Sequence, residues 1–237
     1  MANEVIFILQ TVIGLCFALV AFRLGKNWLY AYIAMAIVLA NIFVTKQFDL
    51  FGLSATGGNV LYGSIFLVTD LLSEHYGKAT ARKAVIIGFF GAVFYLIMSQ
   101  LILLYTVNDV DWGAGAGMDT IFTTGPAIIL ASLSAYMISQ LHDIWAFHLW
   151  KKKFKGKYLW LRNNLSTFVS QAIDSIIFTS LAFGFLPILF RNPEGLLPWA
   201  DLVEIIITTY LLKLVVAAID TPFIYLSYRF KPGDLVS

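Results

Sequence analysis

Residues 62–83 read YGSIFLVTDLLSEHYGKATARK, an apolar stretch that carries Asp70 in its interior and ends in a cluster of charges. Asp70 and Glu74 stand one helical turn apart, so they share a face of the predicted helix. The pair Tyr76-Gly77 is typical of a helix end. Because an unpaired carboxylate is costly inside an apolar segment, Asp70 indicates a polar site within a membrane-spanning helix.

The remainder of the chain has the same apolar character. Of its 237 residues, 59% are hydrophobic and 13% are charged, and the mean hydropathy is +0.81. These proportions exclude an ordinary soluble domain and predict an integral membrane protein. The net charge of +2 is too small to suggest a nucleic-acid surface, so no nucleic-acid partner is expected. With a single cysteine and three histidines that lack metal-ligand spacing, neither a metal nor another cofactor is expected.

Seven apolar segments are each long enough to cross the hydrocarbon core, which takes about 20 residues. They are 4–23, 28–48, 59–76, 82–106, 121–150, 163–190 and 201–229. Thirteen of the 16 basic residues fall in the tail or in the loops after the first, third and fifth segments. By the positive-inside rule this side is cytoplasmic. The prediction is an all-α, polytopic membrane bundle of seven transmembrane helices in a single domain, with the N-terminus outside and the C-terminus in the cytoplasm.

Motifs of enzymes and nucleotide-binding proteins are absent from the sequence. The glycine-rich piece Gly113-Ala-Gly-Ala-Gly117 lacks the preceding strand and the Lys-Ser/Thr pair of a phosphate loop, so we expect a flexible external loop there. No serine elbow, His-x-x-x-His pair or nucleophile-base signature occurs. We therefore predict no catalytic residues and no enzyme.

Polar residues recur along one side of the fifth and sixth segments, at steps of three or four. They are Ser132, Tyr136, Gln140 and Asp143 in the fifth, and Ser166, Thr167, Ser170, Gln171, Asp174 and Ser175 in the sixth. This spacing places each set on one face of a helix. We expect both polar faces to point into the bundle.

Four acids share one base at depth in the predicted bundle. They are Asp70, Asp143, Asp174 and Asp220, with Lys213. Ionisable groups at this depth pair with one another or face a watery cavity. An ion pair of Lys213 with Asp174 or Asp220 that only holds helices together is the structural alternative to a binding site. That pair leaves at least two carboxylates without a cationic partner, which favours a polar site.

Several motifs resemble the queuosine-precursor transporter family, also called the VUT family, over residues 28–229. They are Asn41, Thr69-Asp70-Leu71, Glu74-His-Tyr-Gly77, Ala81-Arg82, Ser139-Gln140-Leu-His-Asp143, Trp160-Leu-Arg162-Asn, Ser166-Thr167, Ser170-Gln171-Ala-Ile-Asp174-Ser175, Tyr210 and Lys213. The pieces Asp-x-x-x-Glu-x-Tyr-Gly and Ser-Gln-x-x-Asp-Ser are specific in combination.

The resemblance implies an importer in the cytoplasmic (inner) membrane. Its small-molecule substrate would be a nucleobase-like deazaguanine used in tRNA modification: the cyano precursor preQ0, the aminomethyl precursor preQ1, or queuine. It also implies a six-helix core over 28–229, so that 1–27 is an additional helix, which covers the core or forms a homodimer face, and 230–237 is a cytoplasmic tail.

The alternative is a substrate-binding subunit of an energy-coupling importer that needs partner ATPases. The small residues Ala127, Ala131 and Ala135, spaced by four, would then form the docking face. The same ridge has a purely structural interpretation, the close approach of two helices.

Residue roles follow from the resemblance together with position. One carboxylate can accept the amide N–H and the amino group of a guanine-like edge, and we expect Asp174 with Gln171 there. The flat ring of such a base needs an aromatic face, for which the candidates are Tyr62, Phe66, Tyr136, Phe168 and Phe178. The full set of expected substrate contacts is Asp174, Gln171, Asp70, Gln140, Asn41, Lys213, Tyr136 and Phe66. Glu74, Asp143 and Asp220 are expected to serve gating or coupling, with an i,i+4 pair to Lys78 as the structural alternative for Glu74.

Overall fold

Helices make up most of the structure, a computed structural model that describes residues 3–123, 126–189, 196–230 and 232–233, with the backbone alone at 53, 54, 126 and 127. In chain order they are α1 (Asn3–Leu24), α2 (Lys26–Phe43), α3 (Gly58–His75), α4 (Lys78–Ile102), α5 (Ala114–Phe122), α6 (Pro126–Lys153), α7 (Leu159–Ser180), α8 (Leu186–Leu189) and α9 (Trp199–Leu226), followed by a 3₁₀ turn, Ser227–Arg229. Within these described residues, seven helices have 18 residues or more: α1, α2, α3, α4, α6, α7 and α9.

Five stretches of the described chain are long and apolar enough to cross a membrane. They are α1, α2, α4, the run from α7 through α8 (159–189), and α9 with the turn after it (199–229). This supports a polytopic helical membrane bundle. Although α3 and α6 have 18 and 28 residues, they are not among the five. Seven crossings and the orientation of the termini therefore stay predictions.

The central helix is α3, which packs against α1, α2, α4, α6 and α9. Every residue from Gly63 to Ser73 is buried. A helix surrounded by protein need not be apolar all round, because its polar side chains meet neighbouring helices instead of lipid. This explains why α3 holds Asp70 although α1, α2 and α9 are more apolar.

The helices have two distinct ends, which are marked by contacts of α1. At its start, Asn3 Nδ2 donates a hydrogen bond to Asp49 O in the segment between α2 and α3 (2.8 Å). Near its other end, Phe22 packs against His75 at the end of α3, with 4.6 Å between the ring centroids. We call the first the hairpin end, after the β-hairpin between α2 and α3, and the second the Glu74 end, after the glutamate in the last turn of α3.

A short β-hairpin joins α2 to α3, and the all-α prediction missed it. Strands β1 (Gln47–Leu50) and β2 (Leu53–Thr56) pair antiparallel. Phe51 and Gly52 between them both have positive φ, 52° and 77°, as a two-residue hairpin turn of type I′ requires. The second predicted segment, 28–48, was therefore too long, since α2 ends at Phe43.

The predicted flexible loop at Gly113–Gly117 is instead the start of helix α5. The carboxylate of Asp111 accepts hydrogen bonds from the backbone N–H groups of Gly113 and Gly115, both 3.1 Å. Such bonds satisfy donors that the first turn of a helix leaves free. The prediction was wrong because it took the three glycines as the sign of a loop and did not consider the carboxylate of Asp111, which caps the helix.

A π-helical turn, Leu181–Phe185, connects α7 to α8. Pro187 has no backbone N–H, so it cannot donate to the carbonyl of Phe183 four residues earlier. That carbonyl accepts from the N–H of Leu197 instead (3.1 Å). The described part of the sixth predicted segment, 163–189, is thus helical, with one wide turn near the hairpin end.

Candidate binding site

Asp174 of α7 is where four helices meet inside the bundle. Its Oδ1 accepts hydrogen bonds from Tyr62 Oη of α3 (2.6 Å) and Ser139 Oγ of α6 (3.0 Å). Its Oδ2 forms an ion pair with Lys213 of α9. Asp174, Ser139 and Lys213 are buried. Of the two ion pairs that the structural alternative named, Lys213 with Asp174 or with Asp220, the one with Asp174 is present, and two hydroxyl groups donate to the same carboxylate.

Two aromatic rings and the ammonium of Lys213 pack against the ring of Tyr62. Its ring packs edge-to-face against Phe66 (5.9 Å between centroids) and Tyr136 (6.3 Å). The ammonium of Lys213 lies 5.1 Å from the centroid of the Tyr62 ring. Phe66 and Tyr136 are fully buried. The structure thus brings both predicted aromatic contacts next to Tyr62, which itself bonds to Asp174, and such rings can pack on a flat ligand.

A second group of acids joins α3, α6 and α9 through Asp70, Asp143 and Asp220, all fully buried. The carboxyls of Asp70 and Asp143 are close enough to share a hydrogen bond, and both acids interact electrostatically with Asp220. Asp70 Oδ2 accepts from Thr167 Oγ1, and Asp220 Oδ1 accepts from Asn163 Nδ2, both at 3.3 Å. Among the described residues, no basic side chain pairs with these three acids.

Unpartnered polar atoms lie between the two acid groups. The groups are seven or eight residues apart on α3, α7 and α9 and four apart on α6, which at about 1.5 Å of rise per residue is roughly 6–12 Å. In this interval Gln140 Oε1 accepts from Thr69 Oγ1 (3.0 Å). Gln140 Nε2 and Gln171 Oε1 are buried and have no partner in the part of the chain that the structure describes. An amide donor and an amide acceptor are therefore free in the predicted polar stripes.

Asn41 lies apart from both groups, near the hairpin end. Its Nδ2 donates to Ile37 O (2.8 Å), and its Oδ1 accepts from Ser132 Oγ (3.4 Å). It lines a cavity of about 20 Å³ together with Tyr95 and Ser99. A cavity of this size holds about one water and not a base. The substrate contact expected for Asn41 stays a prediction.

Glu74 joins the ends of four helices. Its carboxylate forms ion pairs with Arg162 Nη2 (2.6 Å) and Lys151 Nζ (2.9 Å), and accepts a hydrogen bond from Tyr228 Oη. These residues lie at the end of α3, the start of α7, the end of α6 and the turn after α9. The alternative of a local pair with Lys78 was wrong, because the buried guanidinium of Arg162 takes that carboxylate.

Several residues in these groups have functions that the sequence did not predict. Tyr62 was expected only as a candidate aromatic face, and its hydroxyl contact with Asp174 was missed, although it shares a helix face with Phe66 and Asp70, four and eight residues later. Arg162 was counted as a loop charge, although it lies in the first turn of α7 and is fully buried. For Ser139 and Asn163 we find no comparable signal beyond their place in the motifs.

The described residues contain no group of three or more His, Cys, Asp and Glu side chains arranged to hold a metal ion. The two acid groups offer hydrogen-bond acceptors and one ammonium instead. Such groups bind N–H donors of an organic ligand. The arrangement fits a solute that carries several N–H groups.

Known proteins resemble this chain along most of its length. The sequence model of a family described as "putative vitamin uptake transporter" matches residues 56–227. A "probable queuosine precursor transporter" of Bacillus subtilis (strain 168) is 38% identical over 99% of this chain and 98% of that protein. A "queuosine precursor transporter" of Escherichia coli (strain K12) is 22% identical over 81% of this chain and 80% of that protein. A "probable queuosine precursor transporter" of Haemophilus influenzae is 25% identical over 79% of this chain and 88% of that protein. No solved structure matches.

Proposed function

The chain belongs to the putative vitamin uptake transporter family, and we propose that it imports a deazaguanine precursor of queuosine across the cytoplasmic membrane for tRNA modification. Its relatives are named as transporters of such precursors, and five of its helical stretches are long and apolar enough to cross a membrane. It is a transporter and not an enzyme.

The observation that carries the proposal is the buried Asp174 carboxylate with its two hydroxyl donors and its ammonium partner. A guanine-like edge presents an amide N–H and an amino group side by side, which can bind this carboxylate in bidentate fashion. One donor would replace the Tyr62 and Ser139 hydroxyls on Oδ1, and the other would donate to Oδ2 beside Lys213. Hydrogen bonds to a carboxylate in an ion pair are charge-assisted and stronger than neutral ones. The substrate ring then packs beside the rings of Phe66 and Tyr136.

The glutamine side chains complete the base contacts in this proposal. Gln140 Nε2 is a free donor for the carbonyl of the base, and Gln171 Oε1 is a free acceptor for a ring N–H or amino group. Buried amide atoms without partners cost free energy. A ligand that supplies those partners therefore gains affinity from them.

Gating is proposed at the Glu74 end, where the sequence predicts the cytoplasm. Lys151, Arg162 and Tyr228 hold Glu74 from three other helices. Breaking these contacts would let the ends of α6, α7 and α9 separate from α3. The network therefore closes this end of the bundle until the substrate is released.

The alternative of a substrate-binding subunit that needs ATPases loses its expected docking face. Ala131 and Ala135 are buried, at 0% and 1% exposure, and Ala131 packs against Ala182 and Leu186. The side chain of Ala127 lies outside the described set. These small residues let α6 approach the neighbouring helix closely, as the structural interpretation predicted.

The experiment that tests the proposal uses cells that cannot make queuosine. Queuosine in their tRNA is measured after growth in nanomolar external precursor, with the wild-type chain, with Asp174→Asn, and with Asp109→Asn, an exposed acid, as the matched control. We expect modification with the wild type and the control and its loss with Asp174→Asn at equal membrane abundance. Absence of modification with the wild-type chain present in the membrane would contradict the proposed function.

A further inference from the structure

Several carboxylate oxygens of the acid group formed by Asp70, Asp143 and Asp220 have no hydrogen-bond donor among the described residues. Asp70 Oδ1, both oxygens of Asp143 and Asp220 Oδ2 accept no hydrogen bond from the described residues. All three side chains are at most 1% exposed. Buried carboxylate oxygens need a donor or a cation, because leaving them unpaired costs free energy.

The neighbouring side chains do not supply that donor. Asn163 is fully buried and donates its Nδ2 to Asp220, which leaves its own Oδ1 as another acceptor without a partner among the described residues. The hydroxyls near Asp143 donate elsewhere: Ser166 donates to Asn163 O (3.0 Å) and Ser170 to Ser166 O (2.7 Å). Thr167 and Asn163 supply one donor each, and Asp70 and Asp143 can share one proton, so the described residues provide too few donors for the three acids and no positive charge. An alkylammonium group provides both.

The spacing from Asp174 can accommodate an amine-bearing deazaguanine. The two acid groups are four residues apart on α6 and seven or eight apart on α3, α7 and α9, a rise of roughly 6–12 Å along the helices. A fused two-ring base with an aminomethyl arm on the ring opposite its guanine-like edge reaches across the longer part of this interval, given a hydrogen bond of about 2.9 Å at each end. The cyano precursor has no charged group to place there.

We propose that Asp70, Asp143 and Asp220, with Asn163, bind the protonated amine of the substrate, so that the transporter selects amine-bearing over cyano deazaguanines. This inference rests on the proposed function, because it takes the guanine-like edge to be bound at Asp174. It gives Asp143 and Asp220 a binding role in place of the gating or coupling role expected from the sequence.

The test is uptake of labelled aminomethyl and cyano precursors by the same cells expressing Asp220→Asn, Asp143→Asn or the control Asp109→Asn. Each Asp→Asn change keeps the size of the side chain and removes its charge. We expect uptake of the aminomethyl compound at low concentration to fall about tenfold or more in the first two variants. Uptake of the cyano compound should change less than twofold, and the control should match the wild type for both.

Uptake of the cyano compound also shows that each variant is folded and present in the membrane. A loss of both compounds by the same factor, or no loss of either, would overturn the ammonium site while leaving the proposed function intact. Failure of the wild-type chain to carry either compound would instead overturn the proposed function.

Discussion

Lys213 forms an ion pair with only one of the four buried acids. It pairs with Asp174 and leaves Asp70, Asp143 and Asp220 without a basic partner among the described residues. Removing one member of a buried ion pair leaves the other charge uncompensated, whereas replacing both members with neutral groups is often tolerated. Stability and transport can therefore be separated at this pair.

Lys213→Met and Asp174→Asn are each expected to lower the stability of the purified protein by roughly 3–5 kcal/mol, because each strands one buried charge. The double variant should regain most of that stability and still fail to take up substrate, since the carboxylate for the base edge is gone. Thermal unfolding in detergent and uptake in cells measure the two effects. Lys157→Met, at an exposed lysine, is the control; a double variant as unstable as either single one would show that the pair is not coupled in this way.

At the scale of single residues, the sequence predicted a contact that charge pairing restricts to a few partners. It missed contacts that depend on how each helix is rotated about its axis. One base at depth must meet one of a few acids, so the pair of Lys213 and Asp174 was among the predicted alternatives. The hydroxyls of Tyr62 and Ser139 reach Asp174 because of how α3 and α6 are rotated about their axes, which a spacing of four residues leaves open.

Helix α3 touches α9 closely at Gly63. A Cβ atom added there would lie 2.4 Å from Cγ1 of Val216 and 3.2 Å from its Cβ. Val216 is β-branched and has few rotamers in a helix, so it cannot turn away easily. The contact holds together the two helices that carry Tyr62 and Lys213.

Gly63→Val is expected to force α3 and α9 apart and to destabilise the protein by about 1–3 kcal/mol, the usual cost of overpacking. Uptake should fall with it, because the Asp174 group depends on both helices. Adding Val216→Ala should restore part of the loss. Gly117→Val is the matched control, since nothing lies within 4 Å of a Cβ there; equal thermal unfolding of the two single variants would contradict the close contact.

The Glu74 network makes a separate prediction for the ends of the helices. Glu74→Gln removes the charge that Arg162 and Lys151 share, and it leaves the buried guanidinium of Arg162 without a charged partner. We expect faster hydrogen exchange in the connection between α6 and α7 and a lower unfolding temperature. Glu204→Gln, at an exposed glutamate of α9, serves as control; exchange equal to that control would show that the network does not close this end.

At the scale of elements, long apolar runs predicted the helices well and short features poorly. The β-hairpin depends on positive φ at Phe51, a residue that no turn rule favours. Helix α5 depends on Asp111, which lies outside the helix. The π-helical turn depends on Leu197, whose approach to Phe183 is a tertiary contact. Each of these is decided by an interaction that hydrophobic periodicity does not report.

The molecule as a whole is apolar outside and polar at its centre. Large apolar side chains such as Phe17, Phe90 and Ile188 are exposed, with 64%, 71% and 63% of their surface accessible, while the acids of α3, α6, α7 and α9 are buried. This is the arrangement expected of a bundle surrounded by lipid with a polar site inside. It agrees with the composition, which predicted a membrane protein.

Helix α1 packs onto the bundle and is not merely appended to it. The single hydroxyl hydrogen of Tyr32 in α2 has two acceptors within reach, Gly14 O of α1 (3.0 Å) and Ser64 Oγ of α3 (2.8 Å). One hydroxyl therefore links three helices. This supports the interpretation that α1 covers the core, while the division at residues 27 and 28 and the homodimer face stay predictions.

The predicted orientation can be tested by labelling of single cysteines. In a Cys16→Ser background, Asn3→Cys should react with a membrane-impermeant maleimide in intact cells. Ser237→Cys should react only after permeabilisation, because seven crossings put the two termini on opposite sides. Identical labelling of the two sites would contradict an odd number of crossings.

The measurement that tests the central claim most directly is uptake of labelled deazaguanines into proteoliposomes that contain only this purified chain, without ATP. We predict entry of the aminomethyl precursor above the level of empty liposomes, and its loss with Asp174→Asn but not with Asp109→Asn. Entry no greater than in empty liposomes, from protein that is monodisperse and inserted, would contradict a self-sufficient transporter of these bases.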